Sequence, residues 1–475
     1  MPEDPLEMEL PRPLLGLLFL ALIGVGLYQT IEFRGPDRPM GSYEQLAEIK
    51  DRDVNLVVIM VDTLRADRLS SWGYERETSP VMDALAASGI RFANNMSQST
   101  WTKTSMASIF TATYPAKNKV TRFNHVIPRG ATLAPEILQD AGFRTVGIWR
   151  NGWIAASFGF DQGWDFYVKP NRDLHDQIEN PSSIKLGGTD QAVTNPALQF
   201  LRSVGDERFF LYLHYMDAHQ YVYDGAVDFG RGYSDIYDQS VHWVDANIGS
   251  VVAVLQQQGL MKNTVLAIIS DHGEGFLEHG HEGHAANLYR ETTHVPFILT
   301  LPFRLNEPIV VESPVENVDI MPTLFDLLGL PDLPEADGES LMPLVEAAAR
   351  GEAEPSDPTE PRFAFLDKAW GRPNEDPRAF LLVEKDGYRL HDYAGAGVHL
   401  YDANEDYAEG ADLAESDPER VKALRTLARE HLQTPAPSWG GPGWVAIDDM
   451  EAAQLRALGY AFDPHAPPAK RKLEP

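Results

Sequence analysis

No cysteine occurs at any of the 475 positions. Disulfides, thiolate metal sites, thiol nucleophiles and Cys-anchored lipids are therefore all excluded. The redox compartment stays open, because proteins outside the cytoplasm need not use disulfides. Basic residues are also scarce: 40 Lys and Arg face 70 Asp and Glu, a net charge of −30. That balance excludes a nucleic-acid wrapper and a protein held electrostatically on anionic lipid, although local pockets can still bind anions. No internal repeat is visible, and with 43% hydrophobic residues a real core can form, so wholesale disorder is excluded. The length suits one large α/β domain or two ordinary ones.

Long uncharged runs are equally rare. Leu14 to Ile31 (LLGLLFLALIGVGLYQTI) is one, and as a helix it would span roughly 27 Å, enough to reach across a hydrocarbon layer. The tail before it, residues 1–13, carries Glu3, Asp4, Glu7 and Glu9. It is unlike the positive start of a secretory signal, and no Ala-x-Ala site follows. The expectation is an uncleaved transmembrane anchor over 14–31 and a polar linker over 32–51. Arg12 on one side is balanced by Arg34 and Arg38 on the other, which leaves the orientation open.

Beyond the linker, Asn55–Val61 (NLVVIMV) is a continuous apolar run of the kind buried on both faces of a parallel sheet. Arg144–Trp149, Phe209–Tyr215, Thr264–Ile269 and Val295–Leu301 read the same way. Helical patterns lie between them, one opened by Ser79-Pro80 and closed by Gly89, another over Ile236–Gln258. This alternation predicts a doubly wound α/β sheet. An acidic, Pro-rich stretch over 346–361 reads as a second linker. Short strands over Phe363–Leu366, Phe380–Val383 and Tyr388–Leu390, then a helix over Pro418–Leu432, predict a smaller α+β portion over 362–475. The main domain is expected over 52–345.

Asp62 directly follows the first strand, at the carboxyl end where ligands bind in open α/β sheets. Asp271 and His272 follow Thr264–Ile269 in the same way, within SDHGEGFLEHGHEGH. Two carboxylates and an imidazole suit one divalent cation, with Ca, Mg, Mn and Zn all open. In SQSTWTKTSMASIFTATYP a helix begins near Thr102 or Lys103. A hydroxyl there sits in the positive field of unpaired N–H groups, which also draws an anionic ester. Beside a cation such a hydroxyl can attack phosphorus or sulfur.

Taken in order, VDTLRADRLSSWGYERETSPVMDALAASGIRFANN, STWTKTSMASIFTATYP, LHYMDAH, SDHGEGFLEHGHEGH, LYRETTHVPFIL and VDIMPTLFDLLGL resemble the sulfatase branch of the alkaline phosphatase superfamily. With DGESLMPLV, DGYRLHDY, HLYDANEDYAEGADLAE and DDMEAAQLRALGY the resemblance extends over about residues 52 to 460. It implies a mostly parallel central sheet between helices, a smaller C-terminal sheet and a divalent cation beside the nucleophile. Matched by position, Asp62, Asp271 and His272 are metal ligands, with Thr102 the nucleophile touching the same cation. His219, in Asp217-Ala218-His219, falls on the family's substrate-contacting histidine, and His284 falls near its substrate-contacting lysine; in the mechanism expected here, either would protonate the leaving oxygen. Lys103 and Asp217 join them as substrate-side candidates.

The departures bear on the reaction. Sulfatases convert a Cys or Ser in a Cys-x-Pro-Ser-Arg motif to formylglycine, whereas this chain has Thr102-Lys103-Thr104-Ser105-Met106. Oxidised Thr would be a ketone, and Met106 replaces the arginine that would hold the hydrated aldehyde. Thr63 after Asp62 also removes the usual second aspartate. The set Asp62, Thr102, Asp271 and His272 is similar to that of the single-metal, Thr-nucleophile phosphoglycerol and phosphoethanolamine transferases anchored in membranes. The expectation is a metal-dependent hydrolase of sulfate or of phosphate and phosphonate esters. Its substrate would be a small-molecule, glycan or lipid-linked anionic ester, its catalytic domain lying in the periplasm or outside the cell. A transferase using the same chemistry, and a non-catalytic binding protein on the same fold, are the alternatives.

Overall fold

The computed structural model describes residues 38–170, 189–353, 360–369 and 378–446. The expected anchor, Leu14 to Ile31, and the DDMEAAQLRALGY segment lie outside the described residues. Among the described residues no helix is long and apolar enough to cross a membrane.

Strand β1 (Asn55–Val61) shows why the fold needs three layers. Leu56, Val58 and Met60 enter one hydrophobic core, while Val57, Ile59 and Val61 enter another. A strand alternates its side chains between faces, so both faces of the sheet must be covered. The remaining strands of the main sheet are β2 (Ile90–Met96), β3 (Arg144–Trp149), β4 (Phe166–Val168) and β5 (Phe209–Tyr215), then β6 (Thr264–Ile269), β7 (Phe297–Thr300) and β8 (Ile309–Glu316). Their order is β8-β2-β7-β6-β1-β5-β3-β4. Only β7 runs against its neighbours, so the sheet is mostly parallel, as expected. The Val295–Leu301 run therefore yields a shorter strand, and an antiparallel one.

Helices α1 (Pro80–Ala86), α3 (Gln191–Ser203) and α4 (Tyr233–Gln257) cover one face, and α2 (Thr102–Thr111) covers the other. The α4 stripe of Val241, Val244, Ile248, Val251 and Leu255 is wholly buried against Val57, Ile59 and Leu211. Each such side chain contributes roughly 1.5–3 kcal/mol by leaving water.

The C-terminal sheet is an antiparallel meander of β9 (Arg362–Asp367), β10 (Ala379–Lys385), β11 (Tyr388–Tyr393) and β12 (Gly397–Asp402). Leu381 and Val383 pack under Leu424 and Ala428 of α5 (Pro418–Leu432). Phe380 and Leu382, on the opposite face, join the core of the main domain. Phe365 N also donates to Gln98 O at 2.8 Å, next to the segment that leads into α2. The small sheet thus braces the layer that carries the site.

Parallel strands release the chain at one edge. Asp62 leaves β1, Asn151 leaves β3, Asp217 and His219 follow β5, Asp271 and His272 follow β6, and β2 leads to Thr102. Five connections therefore converge at the carboxyl edge around β1.

Candidate active site

Each carboxylate of the site uses one oxygen for its own positioning. Asp62 Oδ2 accepts from Asn151 Nδ2 at 2.6 Å and pairs with His214 Nε2 at 3.2 Å. Asp271 Oδ1 accepts from the backbone N–H of Thr63 at 3.2 Å and of His272 at 3.0 Å. Asp62 Oδ1 and Asp271 Oδ2 are buried and have no hydrogen-bond partner. Orphaned buried oxygens are rare in folded proteins and call for an ion or a water. With His272 they form a buried trio whose ligand atoms lie within 4.8 Å of one another, and a metal ion fits them. His272 Nδ1 lies 3.0 Å from Gly273 O, which fixes the tautomer that leaves the Nε2 lone pair free for a ligand.

The electrostatics agree with that fit. Burial alone would raise Asp62, but the surrounding His219, His214 and His272 hold it well below the usual carboxylate range. Burial and the Asp62 charge push Asp271 up to about 6. His272 is shifted upward against its burial by the Asp271 and Asp62 carboxylates. Two buried carboxylates this close repel one another, and a cation between them removes the repulsion.

Thr102 is the first residue of α2, and its Oγ1 lies 3.3 Å from both His272 Nε2 and Asn151 Nδ2. The neighbouring hydroxyls are spent on the framework: Thr104 Oγ1 donates to Val120 O at 3.0 Å and Ser105 Oγ to Asp271 O at 2.7 Å. Met106, where the resemblance implies an arginine, is buried against Tyr212, whose hydroxyl is 2.7 Å from His214 Nδ1.

The His219 and His284 rings lie 4.8 Å apart, and His284 lies 4.5 Å from His272. His284 Nδ1 is 3.2 Å from Glu274 Oε1. Both His219 nitrogens lack a partner although the residue is buried. Burial pushes His219 down to about 4 and His284 down to about 3, and it raises Glu274 to about 7. Several adjoining residues are held at positive φ: Thr63 at 61°, Tyr221 at 54° and Ala285 at 55°. Such conformations cost free energy and gather at functional sites. Gly273 is required by packing, since a Cβ there would lie 2.1 Å from Glu291 O.

Two substrate-side expectations change. Lys103 Nζ donates to Phe123 O at 2.6 Å and lies 3.7 Å from the Phe158 ring centroid, in an aromatic box completed by Trp101 and Trp153. Asp217 accepts from Arg150 Nη1 at 2.7 Å, from Trp243 Nε1 at 2.8 Å and from Asp190 N at 2.7 Å. Both are fully buried and spent on the protein itself. Elsewhere in the His-rich loop, His279 stacks on Tyr289 with centroids 3.6 Å apart, and His281 is exposed. Asn151, His214 and Glu274 are the site neighbours that sequence reasoning missed. His214 gave a signal, as the imidazole inside the otherwise apolar run FFLYLHY.

The sulfatase family model matches residues 54–330, more than half of the chain and every candidate residue above. The chain belongs to the sulfatase family. It is 26% identical over 342 residues to an N-acetylgalactosamine-6-sulfatase of Rattus norvegicus, covering 61% of this chain and 65% of that one. It is 28% identical over 194 residues to an arylsulfatase K of Danio rerio, covering 41% of this chain and 36% of the relative. The sulfatase-family chain thus spans about a third to two thirds of the length of these relatives. Solved structures share its fold. A 2-O GAG sulfatase aligns with a TM-score of 0.66 at 17% identity, over 89% of this chain and 100% of that one. The phosphonate monoester hydrolase of Agrobacterium radiobacter aligns at 0.61 and 17%, over 80% and 96%.

Proposed function

We propose that this member of the sulfatase family is a cation-dependent hydrolase of sulfate or phosphate and phosphonate esters that works through Thr102. The carrying observation is the Thr102 hydroxyl at the start of the ten-residue helix α2, 3.3 Å from His272 Nε2 and Asn151 Nδ2. The orphaned oxygens of Asp62 and Asp271 beside it support a divalent cation held by Asp62, Asp271, His272 and Thr102. When bound there, Ca, Mg, Mn or Zn would supply positive charge to the nucleophile and to the transferred group.

Thr102 Oγ passes its proton to solvent water and attacks phosphorus or sulfur, so a new Oγ–P or Oγ–S bond forms as the ester bond breaks. Helix α2 directs its free N–H groups at the anionic group in flight, and Asn151 orients the hydroxyl. His219 and His284, held neutral by burial, gain a proton when the anionic ester lies beside them, and one of them passes it to the departing ester oxygen. Water then attacks the threonine ester, its oxygen bonding to phosphorus or sulfur while Oγ leaves and recovers a proton. A hydroxyl nucleophile does this without formylglycine, so the missing Cys does not block turnover.

The substrate belongs to small-molecule, glycan or lipid-linked anionic esters, in keeping with relatives named for sulfated sugars and with a fold neighbour named for phosphonate monoesters. The chain would act outside the cytoplasm, tethered by Leu14 to Ile31. A panel of aryl phosphate, phosphonate monoester, phosphodiester and sulfate esters tests the reading. Turnover of one ester, with a phosphoryl or sulfuryl adduct on Thr102 trapped by acid quench, is expected. No turnover of any panel member by cation-loaded protein would overturn it.

A further inference from the structure

Arg150 is the last residue before Asn151 at the end of β3, and its guanidinium is buried. Its Nη1 donates to Asp190 Oδ1 at 2.9 Å and to Asp217 Oδ1 at 2.7 Å, and its Nη2 donates to Gln220 Oε1 at 2.8 Å. Asp217 and Gln220 are the first and last residues of the short helical turn that carries His219. One planar fork therefore grips both ends of that turn. Asp190 closes the lock from the other side. Its carboxylate accepts the backbone N–H of Met216 and of Asp217, each at 2.8 Å, and Asp190 N returns a bond to Asp217 Oδ2 at 2.7 Å.

This arrangement matters because the His219 ring has no hydrogen bond of its own. Nothing bonded to its nitrogens aims it. Its direction comes from the backbone of the turn and from the His284 ring 4.8 Å away. The adjacent residue, Asn151, meanwhile fixes Thr102 and Asp62 through Nδ2. The Arg150-Asn151 dipeptide thus ties the nucleophile side of the site to the His219 side.

We infer that Arg150, clamped by Asp190, is a positioning residue that sets the direction of the His219 imidazole toward the ester's departing oxygen. The inference rests on the ester-hydrolase reading above for the role of His219. The clamp itself can be judged without turnover. Arg150→Lys keeps the charge but replaces the planar fork, whose Nη1 and Nη2 serve separate acceptors, by a single nitrogen. In the full chain labelled with 15N-histidine, Arg150→Lys is expected to shift or broaden the His219 ring resonances while the His272 resonances stay in place.

Turnover gives a second reading. Misplacement of a proton donor matters for a poor leaving group and little for 4-nitrophenolate. An alkyl ester should therefore slow about a hundredfold in kcat, and the 4-nitrophenyl ester of the same acid should change less than about threefold. If Arg150→Lys does not fold, the neutral Gln220→Leu, which frees one end of the turn, is expected to show the same pattern more weakly. Unmoved His219 resonances in the folded variant, or equal losses on both esters, would overturn the inference. A parent protein with no turnover would sink the hydrolase reading alone, and the resonances would still decide the clamp.

Discussion

Asn151 ties two elements of the site together: its Nδ2 lies 2.6 Å from Asp62 Oδ2 and 3.3 Å from Thr102 Oγ1. Its Oδ1 accepts from Trp153 N at 2.8 Å, so the amide cannot turn its nitrogen away without losing that bond. Asn151→Ala removes the donor and leaves all the proposed carboxylate and imidazole ligands in place. Turnover should fall by about a hundredfold, the scale of losing one preorganised donor, with cation stoichiometry retained. Unchanged kcat in that variant would show that Thr102 needs no orienting amide.

Thr102 itself should be harder to replace. Thr102→Ala is expected to lower turnover by several orders of magnitude, on the scale of losing a catalytic nucleophile. Thr102→Ser keeps the hydroxyl and should retain measurable activity. Thr104→Val touches only the bond to Val120 O and should stay within about threefold of the parent, since it leaves the nucleophile untouched. Near-normal turnover in Thr102→Ala would point to direct attack by water.

Cation binding should be visible in stability as well as in content. A ligand that binds only the folded state raises the melting temperature with its concentration. Asp62→Asn with His272→Ala should remove both stoichiometric metal and that thermal response. A double variant that still melts higher with added cation would place the site elsewhere.

Much of this site was legible because its residues follow apolar runs. Asp62 after NLVVIMV and Asp271-His272 after TVLAII stand where parallel strands end, and the strand bounds β1, β3, β5 and β6 match the runs. Strands β2 and β8 were not legible. IRFANNM interrupts its apolar positions with Arg91, Asn94 and Asn95, and IVVESPVE holds a proline. The latter lies at the edge of the sheet, where one face of the ladder is open and proline is tolerated. Asn151 and Glu274 were silent for another reason: a single amide or acid in a loop has no period. Lys103 misled because adjacency to Thr102 along a helix turns a side chain to another face.

The N-terminal boundary gives a prediction that the sequence alone sets too far along. Arg38 is buried, donating to Leu301 O and to Ser88 Oγ, both at 2.9 Å. Removing residues 1–37 should give a folded domain that needs no detergent. Removing residues 1–40 also deletes Arg38, and should lower the unfolding free energy by about 1–3 kcal/mol through the unsatisfied partners left behind. Equal stability of the two truncations would show that Arg38 contributes nothing.

Acid should loosen the C-terminal sheet through Glu384. Its carboxylate pairs with Arg362 and, at 2.7 Å, with Arg389 Nη1, while Arg389 Nε holds Glu409 at 2.8 Å. Burial would raise Glu384, but the two guanidinium groups hold it down at about 2, below its usual 4.5. A carboxyl depressed in the folded state adds stability that is fully present above the unfolded value and is lost as pH falls toward the folded one. The window is therefore pH 4.5 down to 2. Glu384→Gln should be less stable than the parent at pH 7 by about 3 kcal/mol, because it removes the carboxylate that Arg362 and Arg389 share and leaves Arg389 with Glu409 alone. As pH falls through the window the parent loses the same interaction, so the gap in unfolding free energy by urea titration should shrink toward zero. A gap that stays constant from pH 7 to pH 3 would mean that Glu384 acts through its shape and hydrogen bonds alone, and that the acid sensitivity of the sheet lies elsewhere.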